Sequence, residues 1–216
     1  MLDLFYILIG KLFALITGGY YFRFLSLPYK LVLFLIAIAA SFECSGYYIA
    51  MHLHEPNSWL FNLYILIDVF FMGSAAILLI DNRKTRRLFM VFIFIDSIIW
   101  IMDIITNSIY EFANFAMVCN LIFSTIMFLI VLFSNSIFHS KKMLKQPVFW
   151  LSVSTILYSA CDIPYMGLHN YLIIHAPVLS NELFTINTVL DIVRYPLVAI
   201  SFILLGRQKQ VALNAA

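Results

Sequence analysis

The stretch Ile77-Leu78-Leu79-Ile80-Asp81-Asn82-Arg83-Lys84-Thr85-Arg86-Arg87-Leu88-Phe89-Met90 decides the fold, because four basic residues stand between two long apolar runs, 59–80 and 88–106. A run of about 20 apolar residues crosses a bilayer as a helix, and Lys and Arg beside short connections stay on the cytoplasmic side. A cytoplasmic turn at 81–87 follows, and the rest of the chain is fixed by alternation. Further apolar runs lie at 4–22, 31–50, 113–134, 148–166 and 183–205, which makes seven. Of the thirteen Lys and Arg, eleven fall in or beside four alternate connections: 23–30, 81–87, 139–146 (Lys141, Lys142, Lys145) and the tail with Arg207 and Lys209. The intervening connections hold Glu55, Glu111 and Glu182 and no base. The expected architecture is an all-α, seven-helix transmembrane bundle in one domain, 1–216, with its amino terminus outside and its carboxyl terminus cytoplasmic.

Composition agrees. A chain that is 63% hydrophobic and 11% charged, with mean hydropathy +0.98, is too apolar for a water-soluble core. The expected place is a bacterial inner (cytoplasmic) membrane, crossed several times, with the lipid bilayer as first partner. The net charge of +2 is split among short loops, which suits an anionic leaflet and not a nucleic acid. Lys11 in the middle of the first run and the ending Thr17-Gly18-Gly19 do not make a cleavable signal. Cys44, Cys119 and Cys161 are odd in number and fall inside helices, so they read as small packing residues and not as a disulfide framework. The longest connection is 167–182, whose apolar segment 168–175 is expected to lie in the membrane interface, and Pro164 reads as the end of helix six.

Within the spans stand Lys11, Glu43, Asp68, Asp96, Asp103, Asp162, Asp191 and Arg194. Each costs about 2.5–3.5 kcal/mol at a helix centre, so all are expected to face the bundle interior. Counting depth along the helices puts Asp103 and Asp162 nearest the outer surface, so the belt is expected to open outward. Spacing supports a shared inward face: Thr155, Tyr158, Ser159 and Asp162 stand at i, i+3, i+4 and i+7, and Asn187, Asp191 and Arg194 at i, i+4 and i+7. Asp96 and Asp103 share one stripe; Tyr64 with Asp68, Glu43 with Tyr47 and Asn120 with Ser124 are i, i+4 pairs. Six carboxylates against two bases leave a formal −4. Low-dielectric surroundings require protonated carboxyls, or water and cations in a cavity. The candidate ligand- or proton-binding set is therefore Lys11, Glu43, Tyr64, Asp68, Asp96, Asp103, Asn120, Tyr158, Asp162, Asn187, Asp191 and Arg194.

Structural readings stand beside this one. Buried polar groups also tie helices together, and Asp191 with Arg194 at i, i+3 reads as an intrahelical ion pair. Pro196 is either a hinge below the polar face or a static kink. His52, His54, His169 and His175 gather on the outer side without a firm metal spacing and read as solvated loop residues, so no metal and no cofactor is expected. No Ser-His-Asp spacing or phosphate loop is present, so no catalytic residue is assigned.

Helix three reads Leu60-Phe61-Asn62 with Asp68 eight residues after Leu60, and helix seven reads Leu183-Phe184-Thr185 with Asp191 eight after Leu183. Helix two holds Ser41-Phe42-Glu43-Cys44 and helix six Ser159-Ala160-Cys161-Asp162. Either chance or a parallel duplication, helices one to three and five to seven joined by helix four, accounts for this. Glu43, the stretch Trp59-Leu60-Phe61-Asn62-Leu63-Tyr64 leading to Asp68, and Asn187 with Asp191 together resemble small bacterial seven-helix membrane proteins without an assigned function. The topology also resembles rhodopsins and seven-helix receptors, yet helix seven lacks the retinal lysine. The seven-helix sugar transporters share length and orientation, but their paired prolines are missing. The leading expectation is a sensor or receptor-like module that binds a small ligand, cation or proton in an outward-facing cavity. It would signal through a cytoplasmic or membrane partner at loops 83–87 and 141–145. The alternative is a proton- or cation-coupled transporter of small solutes relying on carboxylates such as Glu43, Asp68 and Asp191.

Overall fold

The computed structural model describes residues 2–134 and 143–214, so His139, Lys141 and Lys142 lie outside the described residues. Seven α-helices account for nearly all of them: α1 (Leu2–Tyr20), α2 (Leu27–Tyr48), α3 (Ser58–Leu79), α4 (Arg83–Asn107), α5 (Asn114–Ser134), α6 (Pro147–His175) and α7 (Pro177–Asn214). Helices α2, α3, α4, α5 and α7 are each long and apolar enough to cross a membrane, so this is a multi-pass helical membrane protein. By contrast, α6 is long but less apolar, because its buried face carries Ser152, Ser154, Thr155, Ser159 and Asp162.

Local chemistry sets the boundaries. Asn82 caps α4, its side chain accepting from the Lys84 N–H at 2.8 Å, and Arg86 Nε donates back to the Ile80 carbonyl, which closes the basic turn. Proline stands in the first turn of α2 (Pro28), α6 (Pro147) and α7 (Pro177), where its missing N–H costs nothing. At its far end α2 widens into one π-helical turn, Ile49–Leu53, and stops at His54 in the left-handed conformation (φ 55°).

Two expectations are corrected here. Pro164 does not end α6, which runs on to His175. The segment 168–175 is thus the last two turns of α6. Only Ala176 separates α6 from α7. Leu172 and Ser180 are buried, and Asn170 Nδ2 donates to the Phe112 carbonyl at 3.2 Å, so this hairpin is docked to the α4–α5 connection. The cysteines are not packed inside the bundle: Cys44 and Cys161 are exposed and Cys119 half-buried, all three free.

The helices close into a ring in the order α1, α2, α3, α5, α6, α7, while α4 lies outside it against α3 and α5. Only Phe89, Asp96 and Asp103 are buried along α4, a stripe with a seven-residue period. Small residues permit the close approaches: a methyl on Gly18 would collide with Leu33, and one on Gly73 with Ile93. The ring is filled unevenly. Toward the end that bears Arg23, Lys30, Arg83 and Arg207, which we call the basic end, Tyr29, Val32, Ile80, Phe89, Phe128, Val131 and Phe202 form one close-packed core. Toward the opposite end the ring is hollow.

Candidate ligand cavity

Lys11 occupies the middle of α1 and is 1% exposed, facing α2 and α7. A lone buried ammonium is prohibitive, so its partners define its role. Its Nζ donates to Glu43 Oε1 on α2 and, at 3.0 Å, to Asp191 Oδ2 on α7, and sits 4.8 Å from the centre of the Tyr195 ring. The three helices are thereby clamped at mid-span. The two carboxylates keep part of their surface free, 23% for Glu43 and 13% for Asp191, and Glu43 Oε2 takes no hydrogen bond.

Across the ring the partner is a neutral carboxamide. Asn120 on α5 donates from Nδ2 to Asp68 Oδ2 on α3 at 2.9 Å and accepts on Oδ1 from Ser124 Oγ at 3.3 Å. Arg194 does not pair with Asp191 as the i, i+3 spacing suggests. Lys11 has taken that carboxylate, and the guanidinium lies 4.3 Å from the Tyr158 ring centre and 5.7 Å from that of Tyr195.

Between these groups lies a cavity of about 580 Å³, walled by α2, α3, α5, α6 and α7. Its mouth is formed by Met51, Asn57, Phe112, His169 and Phe184, and its floor by Asp68, Asp191, Arg194 and Tyr195. Beneath the floor, Val32, Ile36, Met72, Leu151 and Val198 leave a gap of only about 10 Å³, room for no more than one water. The chamber is therefore blind toward the basic end.

Of the expected residues, Glu43, Tyr64, Asp68, Asn120, Tyr158, Asn187, Asp191 and Arg194 line this one chamber, and Lys11 supports it from behind. Asp96, Asp103 and Asp162 are not in the lining. For the first two the reason is architectural, since α4 has no face toward the interior of the ring. Asp103 is a structural cap: Oδ2 accepts from the Ala116 N–H at 2.8 Å and Oδ1 from Asn107 Nδ2 at 2.6 Å, fixing the start of α5. Asn62 completes that clasp by donating to the Ile109 and Glu111 carbonyls and accepting from the Ala113 N–H. Asp162 is fully buried in α6 behind the wall, and neither of its carboxylate oxygens has a hydrogen-bond partner.

The lining also includes residues outside that set: Tyr47, Thr155, Ser159, Tyr165, His169 and Thr188. Tyr165 and His169 extend the Tyr158–Asp162 stripe by further turns, a signal hidden once the helix is stopped at Pro164. Their side chains meet, His169 Nδ1 lying 3.0 Å from Tyr165 Oη. The other outer histidines are dispersed: His52 rests on Tyr48 and His175 on Tyr171. Among the described residues no three His, Cys, Asp or Glu side chains converge as a metal site would require. No protein-family model matches the chain, and no curated protein or solved structure matches it either.

Proposed function

We propose that the chain is a seven-span sensor or receptor-like module of a cytoplasmic membrane, with its amino terminus outside. It takes a small ligand, cation or proton into the cavity and passes the change to a partner at the basic end. The observation that carries this reading is the blind floor: a chamber of about 580 Å³ ends on Arg194 and Tyr195, over a plug with a gap of about 10 Å³. Such a chamber holds a ligand without conducting it. The retention of Lys and Arg on the cytoplasmic side directs the mouth outward. That α1 and α6 belong to the same ring as the long apolar helices supports a count of seven spans. The partner would meet loops 83–87 and 141–145 and the tail bearing Arg207 and Lys209.

A second reading, a proton- or cation-coupled transporter, is favoured by one observation. The ring order α1, α2, α3, α5, α6, α7 is unchanged when α1–α3 are exchanged with α5–α7, as a parallel duplication linked by α4 would give. Lys11 on α1 holding Asp191 on α7 then corresponds to Asn120 on α5 holding Asp68 on α3.

Two measurements test these readings. In a background with the three cysteines replaced, Thr188→Cys, at a part-exposed lining position, should react with a membrane-impermeant maleimide from one side of the membrane only; no reaction from either side removes the open cavity. In liposomes with an internal pH dye and an acid outside, the sensor reading expects no flux above empty vesicles. Proton flux that Asp68→Asn abolishes makes the protein a transporter.

A further inference from the structure

We propose that the cavity's ligand is a single organic cation, a protonated amine carried on an aromatic or branched apolar body. This rests on the reading of the chain as a ligand-binding module and names the class of ligand. Glu43, Asp68 and Asp191 at the wall meet two bases, Lys11 and Arg194, so the chamber carries a formal −1 that one monovalent cation neutralises. Of the two bases, Lys11 is enclosed by two carboxylates, and Arg194 has one face laid over Tyr158.

Acceptors, in contrast, are in surplus. Glu43 and Asp191 keep 23% and 13% of their side-chain surface open beside the single Lys11, and Glu43 Oε2 and Asn187 Oδ1, enclosed within the wall, accept from no donor. An ammonium brings three donors and no acceptor. A bare proton or metal ion leaves most of 580 Å³ unfilled, since a water occupies only about 30 Å³. Phe42, Phe61, Phe112 and Phe184 supply a broad aromatic share of the wall. Those rings suit an apolar body whose charged head reaches the Asp68–Asp191 floor.

The test uses the full chain in nanodiscs, with empty nanodiscs as blank, titrated calorimetrically with 4-phenylbutylammonium, 4-phenylbutan-1-ol and 4-phenylbutyrate. These probes share a shape and differ in charge. The ammonium should bind about tenfold or more tighter than the alcohol, as a desolvated charge-assisted hydrogen bond gives; the carboxylate should give no signal above the blank. Asp68→Asn should bring the ammonium to the level of the alcohol while leaving alcohol binding intact, which also certifies the fold; Asp191→Asn serves as the second variant. Equal binding of ammonium and alcohol, preference for the carboxylate, or no binding of any probe overturns the cation assignment. Where Thr188→Cys still reacts with the maleimide, the module reading survives that failure; where it does not, both fall.

Discussion

Two clusters face each other across the hollow half of the ring, and they solve the same problem differently. On the side of α1, α2 and α7, two carboxylates share one buried ammonium, Lys11. On the side of α3, α5 and α6, a carboxamide, Asn120, serves Asp68, and Asp162 has no partner. Charge removed from water must be matched by charge or by several hydrogen bonds. The first cluster meets that condition in part, with one ammonium for two carboxylates and Glu43 Oε2 left over, and the second relies on a neutral carboxamide. The first is therefore scaffold as well as wall, and both sides leave charge for a ligand, water or proton to complete.

The largest effect that can break this comparison is loss of the ammonium. Lys11→Met strands Glu43 and Asp191 without a countercharge, and should lower unfolding stability in detergent by about 3–5 kcal/mol, the usual cost of breaking a buried pair. Adding Glu43→Gln and Asp191→Asn to Lys11→Met should recover most of that loss. If Lys11→Met is as stable as the parent, the first cluster is not a clamp. Next comes Asn120→Ala, which should cost about 1.5–3 kcal/mol for one hydrogen bond to a charged group, measured in the same unfolding assay. A cost equal to that of Lys11→Met would erase the distinction between the two sides.

Arg194→Leu removes a stacked cation from the floor and should cost about 0.5–2 kcal/mol. A much larger loss would show that the guanidinium, and not Lys11, balances the floor. Smallest, and opposite in sign, is Asp162→Leu. Replacing an unpartnered buried carboxyl by an apolar side chain should leave the ligand-free protein as stable or raise its stability by about 1 kcal/mol or more. A marked loss of melting temperature would mean that this side is completed within the protein after all.

Helix positions were legible because charge and apolar run length are local and redundant: the break between α3 and α4 falls at the basic segment, although α4 starts at Arg83 and takes the four basic residues into its first turns, ahead of the expected start at Leu88. Of the eight lining residues in the expected set, Glu43, Asp68, Asp191 and Arg194 were legible because a charged group in a span has nowhere to go but inward, and Tyr64, Asn120, Tyr158 and Asn187 because helical spacing puts them on a polar stripe. What failed was whatever depends on distance in space. The partner of Asp191 is not three residues away but 180 residues away in Lys11, and no spacing rule reaches that far. Asp96 and Asp103 do share a stripe, yet a stripe does not say which neighbour it faces, and α4 turned out to be outside the ring. Pro164 was misread because proline interrupts one hydrogen bond without stopping a helix whose flanks are packed on both sides.

Helix α7 is 38 residues long with Pro196 inside it, and at 1.5 Å per residue that proline divides it into two arms of roughly 28 Å each. One arm carries Phe184 at the mouth and ends at Pro177, the other carries Arg207 and Lys209, and Pro196 stands two residues beyond Arg194. Were the proline a hinge, the helix would be a first-class lever with equal arms, and a tilt of the mouth arm would reappear at the basic tail with the same amplitude and opposite direction.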